Sequence, residues 1–239
     1  MTAVAPGARV FAWLGALLFA TSLAVFVYAY FVTFGRPAPA GPWTRGALLN
    51  VGLFAVFALH HSALARAGPK AWMTRVVPPT LERPVYVWIA SVLLISVCLL
   101  WQPIPGELYR IEGAPAVLLR GLQIAAIVMT IFASSSVGVL DLAGVGHLVD
   151  ARRADPVRHV PLRTTGLYGI VRHPLYFAWS ILVFSVPHMT MTRLVFATVS
   201  TAYLALAIPL EERGLISTFG DEYRAYRRQV RWRMLPGLY

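Results

Sequence analysis

The sequence predicts an all-α, polytopic membrane protein with five to six transmembrane helices, a C-terminal helical hairpin and a cytoplasmic amphipathic tail helix. Three observations lead there. Of 239 residues, 58% are hydrophobic and only 13% are charged, about half the charged share of a soluble domain. Mean hydropathy is +0.65, and the apolar residues fall in runs near the roughly twenty needed to cross about 30 Å of hydrocarbon. The net charge of +11 is carried almost wholly by arginine, with Lys70 the only lysine. Those arginines sit in short loops and the tail, as expected of segments facing anionic lipid, so the basic balance points to membrane lipid as partner and not to nucleic acid.

The first crossing is expected from Val10 to Phe34, ended by "GRPAPAGP". This run is too long for a signal peptide and has no basic leader, so it reads as a retained membrane helix. A second crossing runs from about Gly46 to Ala65 and is followed by a basic, proline-rich loop carrying Arg66, Lys70, Arg75 and Arg83. The third runs from Val85 to about Trp101 and the fourth from Pro115 to Leu140, which closes an N-terminal part, 1–140. The C-terminal part, 141–239, where the chemistry-bearing residues are expected, opens with the most polar stretch, Asp141 to Arg172. A hairpin follows, Leu175 to Pro187 and Met191 to Leu210, turning at "PHMT"; its first arm is short for a full crossing. After Leu210, the residues Leu215, Phe219, Tyr223, Tyr226 and Val230 recur at steps of three and four, which makes one helical stripe. Arg213, Arg224, Arg227, Arg228 and Arg231 lie mainly off it. The basic loops place both termini, the 66–83 loop and the 141–172 segment in the cytoplasm of a bacterial inner membrane.

Several chemistries are set aside. Cys98 is alone in an apolar run, which excludes a disulfide framework and a paired-cysteine metal site. The six histidines (60, 61, 147, 159, 173 and 188) lack the tight spacings of a di-iron oxygenase, and no metal is expected. Adjacent His60 and His61 are not expected to face one site from a helix. Gly144-Val145-Gly146 is no nucleotide fingerprint without a preceding strand. What remains lies in the last third. "GLYGIVRHPLYFAW" puts Arg172, His173 and Pro174 just before an apolar run, and Pro174 suits the first turn of a helix. "PLEERGLISTFGDEYRAY" puts Glu211 and Glu212 where the last crossing meets the cytoplasm. Two acids beside Arg172, His173 and clustered tyrosines suggest a pocket for a charged, partly aromatic ligand.

Gly166-x-Tyr168, Arg172-His173-Pro174-x-Tyr176 and Glu211-Glu212-x-x-Leu215-Ile216-x-x-Phe219-Gly220-x-x-Tyr223-x-x-Tyr226 together resemble the integral-membrane methyltransferases, the isoprenylcysteine carboxyl and phospholipid methyltransferase group. Upstream, "HSALARAGPKAWMTRVVPPTLERPVYV", "WQPIP" and "DLAGVGH" are similar to the methanethiol S-methyltransferase branch. The resemblance implies S-adenosyl-L-methionine as cofactor, held by Val160, Pro161, Leu162, Arg163, Tyr168, His173, Pro174, Leu175, Tyr176 and Glu211. It implies Arg172, His173, Glu212 and His147 as the candidate catalytic set, with His147 or His173 assisting deprotonation. The isoprenylcysteine enzymes carry an arginine four positions before the first acid, where this chain has Ala207. That favours methylation of a small thiol such as methanethiol, giving dimethyl sulfide. The alternatives are an isoprenoid or lipid acceptor and an NADPH-dependent sterol-type membrane reductase. A third reading is a non-enzymatic membrane accessory protein that uses His60 and His61.

Overall fold

The computed structural model describes residues 5–63, 69, 72–149 and 161–239. Among them, four helices are long and apolar enough to cross a membrane, within Pro6–Gly35, Pro79–Leu100, Ala114–Ser135 and Met191–Phe219. The chain is an integral membrane protein and mostly helical. The helices in order are α1 (Pro6–Phe31), α2 (Thr44–Ala63), α3 (Pro79–Leu100), α4 (Ala114–Val137), the short α5 (Val139–Leu142) and α6 (Gly146–Val149), α7 (Pro174–Phe184), α8 (Met191–Phe219) and α9 (Asp221–Gln229). Two short strands, β1 (Glu107–Arg110) and β2 (His188–Thr190), add a feature the apolar periodicity does not announce. The described residues divide into two packed units, one of 1–36, 42–103 and 137–159, the other of 37–41, 104–136 and 160–239.

In the first unit α1 packs on α3. Trp88 Nε1 donates to the Phe11 carbonyl at 3.0 Å and its ring stacks on Phe11. Gly15 permits that approach, since a Cβ there would lie 2.8 Å from Trp88 Nε1. A polar residue inside α2 has a specific task. Asn50 is fully buried; its Nδ2 donates to the Gln102 carbonyl at 2.9 Å and its Oδ1 accepts from the Gln102 N–H at 2.7 Å. The pair satisfies both backbone groups of Gln102, just beyond the end of α3. His60 and His61 do not diverge as expected. The His60 ring stacks on Tyr86, while Tyr86 Oη and His61 Nδ1 are hydrogen bonded at 2.8 Å. A tyrosine is large enough to meet one neighbour with its ring and the next with its hydroxyl.

In the second unit β1 and β2 pair antiparallel, Arg110 opposite His188 and Glu107 opposite Thr190. The short hairpin arm is explained here. At about 1.5 Å per residue, the eleven residues of α7 cover only about 17 Å. Residues 185–187 then lead into β2, which adds about 3.3 Å per residue. Trp179 Nε1 donates to the buried Ser200 Oγ at 3.0 Å and so ties α7 to α8. The stripe predicted as one tail helix is divided: α8 runs to Phe219, and Gly220 turns the chain at φ +57° before α9 begins. That left-handed conformation suits glycine. The stripe still buries one surface, because Tyr223, Tyr226 and Val230 pack together with Leu215, Ile216 and Phe219 across the turn.

Candidate functional site

From Met191 to Glu211, α8 rises about 30 Å, the thickness of one hydrocarbon core. Successive helical residues point about 100° apart, and the two acids therefore meet different surroundings. The Glu211 side chain is 45% exposed and accepts a 2.8 Å hydrogen bond from Tyr176 Oη. The Glu212 side chain is 3% exposed and accepts from Arg172 Nε at 2.6 Å. Arg227 Nε and Arg233 Nε stand 3.6 and 3.8 Å from its other oxygen.

Pro174 opens α7, as its fixed φ allows, with His173 at the N-cap. The His173 ring stacks on Tyr176 and lies between the acids, with Nδ1 3.6 Å from Glu211 and Nε2 3.5 Å from Glu212. Neither distance is a well-formed hydrogen bond, and His173 Nε2 is buried without a hydrogen-bond partner among the described residues. Arg172 is committed differently. Besides Glu212, it donates through Nη1 to the carbonyls of Val230 at 2.7 Å and Arg231 at 2.8 Å. Its backbone N–H and that of His173 donate to the carbonyls of Trp232 and Arg233. Two of the five guanidinium N–H groups thus fasten the segment after α9 to the start of α7, and a third holds Glu212 of α8.

Tyr168 ends in the same neighbourhood. Its carbonyl accepts from Tyr226 Oη at 2.7 Å, and its phenol is pushed above its ordinary pKa by burial and by the negative charge of Glu211, against the pull of Arg163. Leu162 packs on the Tyr223 and Tyr226 cluster, and Pro161 and Arg163 are exposed. Leu175 sits half-buried in the first turn of α7. The structure therefore brings Tyr168, Arg172, His173, Tyr176, Glu211 and Glu212 together, with Leu162, Arg163, Pro174 and Leu175 adjoining them. Val160 lies outside the described residues. His147 is on α6, and its side chain lies outside them too.

The residues that sequence reasoning missed are Arg233 and Tyr239. Pro209, inside α8, has no N–H and leaves the Ala205 carbonyl without its helical donor. Tyr239 Oη supplies that donor at 3.1 Å and accepts from Arg233 Nη1 at 2.9 Å. The backbone oxygen of Tyr239 accepts from the N–H groups of Arg233, Met234 and Leu235. A proline in the middle of an apolar helix was the signal that some donor had to come from elsewhere.

The model of the DUF1295 family, described as a protein family of unknown function, matches residues 72–230. Among curated proteins, the methanethiol S-methyltransferase of Pseudomonas deceptionensis is 35% identical over 84% of this chain and 76% of its own length. That of Mycobacterium tuberculosis is 34% identical over 81% of this chain and 80% of its own length. The protein-S-isoprenylcysteine O-methyltransferase of Dictyostelium discoideum is 34% identical over 42% of this chain and 43% of its own length. No solved structure matches the chain.

Proposed function

We propose, from the premise that the chain belongs to the DUF1295 family and is an integral-membrane methyltransferase, that it methylates a small thiol such as methanethiol with S-adenosyl-L-methionine, giving dimethyl sulfide. The observation that carries this reading is Glu211, a half-exposed carboxylate of α8 oriented by Tyr176 and set beside aromatic side chains. When bound, S-adenosyl-L-methionine supplies a methyl group on a positively charged sulfonium. The residues present fit such a group. Glu211 is an acceptor suited to an ammonium or to ribose hydroxyls. The ring faces of Tyr168 and Tyr176 offer cation–π attraction of about 0.5–2 kcal/mol to a sulfonium. Exposed Arg163 is the nearby cation suited to a carboxylate, and Val160 and Pro161 extend the same segment. Arg172 and Glu212 we assign to positioning, because their mutual pairing and the carbonyls on Arg172 leave them as a clamp.

Methyl transfer is an in-line displacement, so the chain contributes chiefly alignment and exclusion of water. A thiol must lose its proton before it attacks. His173, with one ring nitrogen buried and unbonded between two acids, is the proton acceptor we assign there; His147 stays a second candidate. The arginine-rich loops support a bacterial inner membrane with both termini cytoplasmic.

One observation favours the lipid or isoprenoid acceptor. A cavity of about 370 Å³ is lined by Met129, Phe132 and Ala133 of the membrane helix α4 and by the 165–168 segment that carries Tyr168. Against it, Ala207 stands where the isoprenylcysteine enzymes carry arginine. The cofactor assignment is tested by thermal unfolding with S-adenosylhomocysteine. Stabilisation of the wild-type chain and its loss in Glu211→Gln supports the reading; equal stabilisation of both removes Glu211 from the site.

A further inference from the structure

A second cavity, of about 650 Å³, shares only Arg172 with the residues assigned to methyl transfer. Arg224, Arg227, Arg228, Arg231 and Arg233 line the rest of it, with Trp232 and Tyr239. Its charge is not balanced from within. Arg172, Arg227 and Arg233 share the single carboxylate of Glu212, and Arg224 is paired with Asp221 at 2.8 Å on the surface. Arg228 and Arg231 are exposed, and neither has a carboxylate within ion-pair distance among the described residues. Six guanidinium groups face two carboxylates. Such a set, with forked donors and an indole beside Arg231, has the chemistry of a receptor for phosphate oxygens.

The depth of the cavity identifies the source of the phosphate. Glu211 stands about 30 Å along α8 and Phe219 about 12 Å beyond it. After Gly220 the chain returns, and Trp232 and Arg233 bond back to Arg172 and His173 at the start of α7. The cavity thus lies alongside the last turns of α8, between Glu212 and Phe219. With α8 crossing the hydrocarbon from Met191, that depth corresponds to the headgroup layer, which extends a core of about 30 Å to about 40–45 Å overall. We propose that the arginine cavity binds the phosphodiester headgroup of an anionic phospholipid. The headgroup neutralises Arg228 and Arg231 and holds α9 against the membrane.

The test uses the full chain in neutral detergent, titrated with dihexanoyl phosphatidylglycerol, with dihexanoyl phosphatidylcholine or with inorganic phosphate, and read by melting temperature. The glycerol lipid raises it saturably, and the other two do not at the same concentration. Arg228→Gln with Arg231→Gln raises the midpoint of that titration about tenfold, the loss expected for charge-assisted contacts. Arg228→Lys with Arg231→Lys retains most of the shift, and about 0.5 M NaCl weakens it. The stabilisation by S-adenosylhomocysteine is unchanged in the glutamine variant, which separates this site from the methyl-transfer site. Equal shifts from the choline lipid, or from free phosphate, overturn the proposal. So does an unchanged midpoint in the glutamine variant or, if that variant does not fold, a shift insensitive to salt.

Discussion

Glu211 and Glu212 are adjacent in sequence and have different physical fates. Glu212 is a buried carboxylate facing Arg172, Arg227 and Arg233. Breaking a buried ion pair from one side strands the other charge and costs about 3–5 kcal/mol. Glu212→Gln is therefore expected to lower the melting temperature of the purified chain sharply. Glu211 is nearly half-exposed, and a single hydrogen bond orients it, so Glu211→Gln is expected to leave the folding stability within about 1 kcal/mol of wild type and the melting temperature little changed. Its effect falls on ligand binding. A reversal, with Glu211→Gln unfolding the chain and Glu212→Gln merely weakening S-adenosylhomocysteine, would invert the two assignments.

At the scale of elements, α8 is an interrupted helix mended by a distant residue. Tyr239→Phe removes the donor to the half-buried Ala205 carbonyl, a loss of about 1 kcal/mol. Pro209→Ala returns a backbone N–H to that carbonyl. A double-mutant cycle between the two positions is expected to show a coupling of about 1 kcal/mol; additive effects would mean that Tyr239 does not mend the helix. The cluster joining α8 and α9 makes a prediction about pH. Burial pushes the phenols of Tyr223 and Tyr226 above their ordinary range, and the charge of Glu212 adds to this at both. Raised values favour the neutral form in the folded chain. The stabilisation is then fully present below about pH 10 and is lost as pH climbs through the higher folded values. Ultraviolet difference absorbance should show these two phenolates only as the chain unfolds. Their reversible appearance in the folded chain below about pH 10 would contradict the packing.

For the whole molecule, the four long apolar runs and the start of α7 at Pro174 were legible because hydrophobic length and proline position act locally. The motif residues around Arg172 and Glu211 were legible as a set because their types recur together. The division of labour between Glu211 and Glu212 was not, since it depends on which side of α8 the returning tail covers. Arg233 and Tyr239 were hidden for the same reason, as Glu212, Ala205 and His173 lie about 20 to 60 positions away. The β1–β2 ladder was hidden because three or four residues carry no periodicity of their own. Reporter fusions at the C-terminus and in the 107–112 segment are expected to fall on opposite faces of the membrane, the former cytoplasmic. Reporters on one face would overturn the orientation drawn from the arginines. The most direct test of the methyl-transfer account is headspace detection of dimethyl sulfide from the full chain in lipid bilayers, given methanethiol and S-adenosyl-L-methionine. The account predicts dimethyl sulfide from the wild-type chain and about a hundredfold less from Glu211→Gln, a loss of about 2.7 kcal/mol. Methylation of an isoprenoid or lipid thiol without dimethyl sulfide, or an undiminished yield from Glu211→Gln, would contradict it.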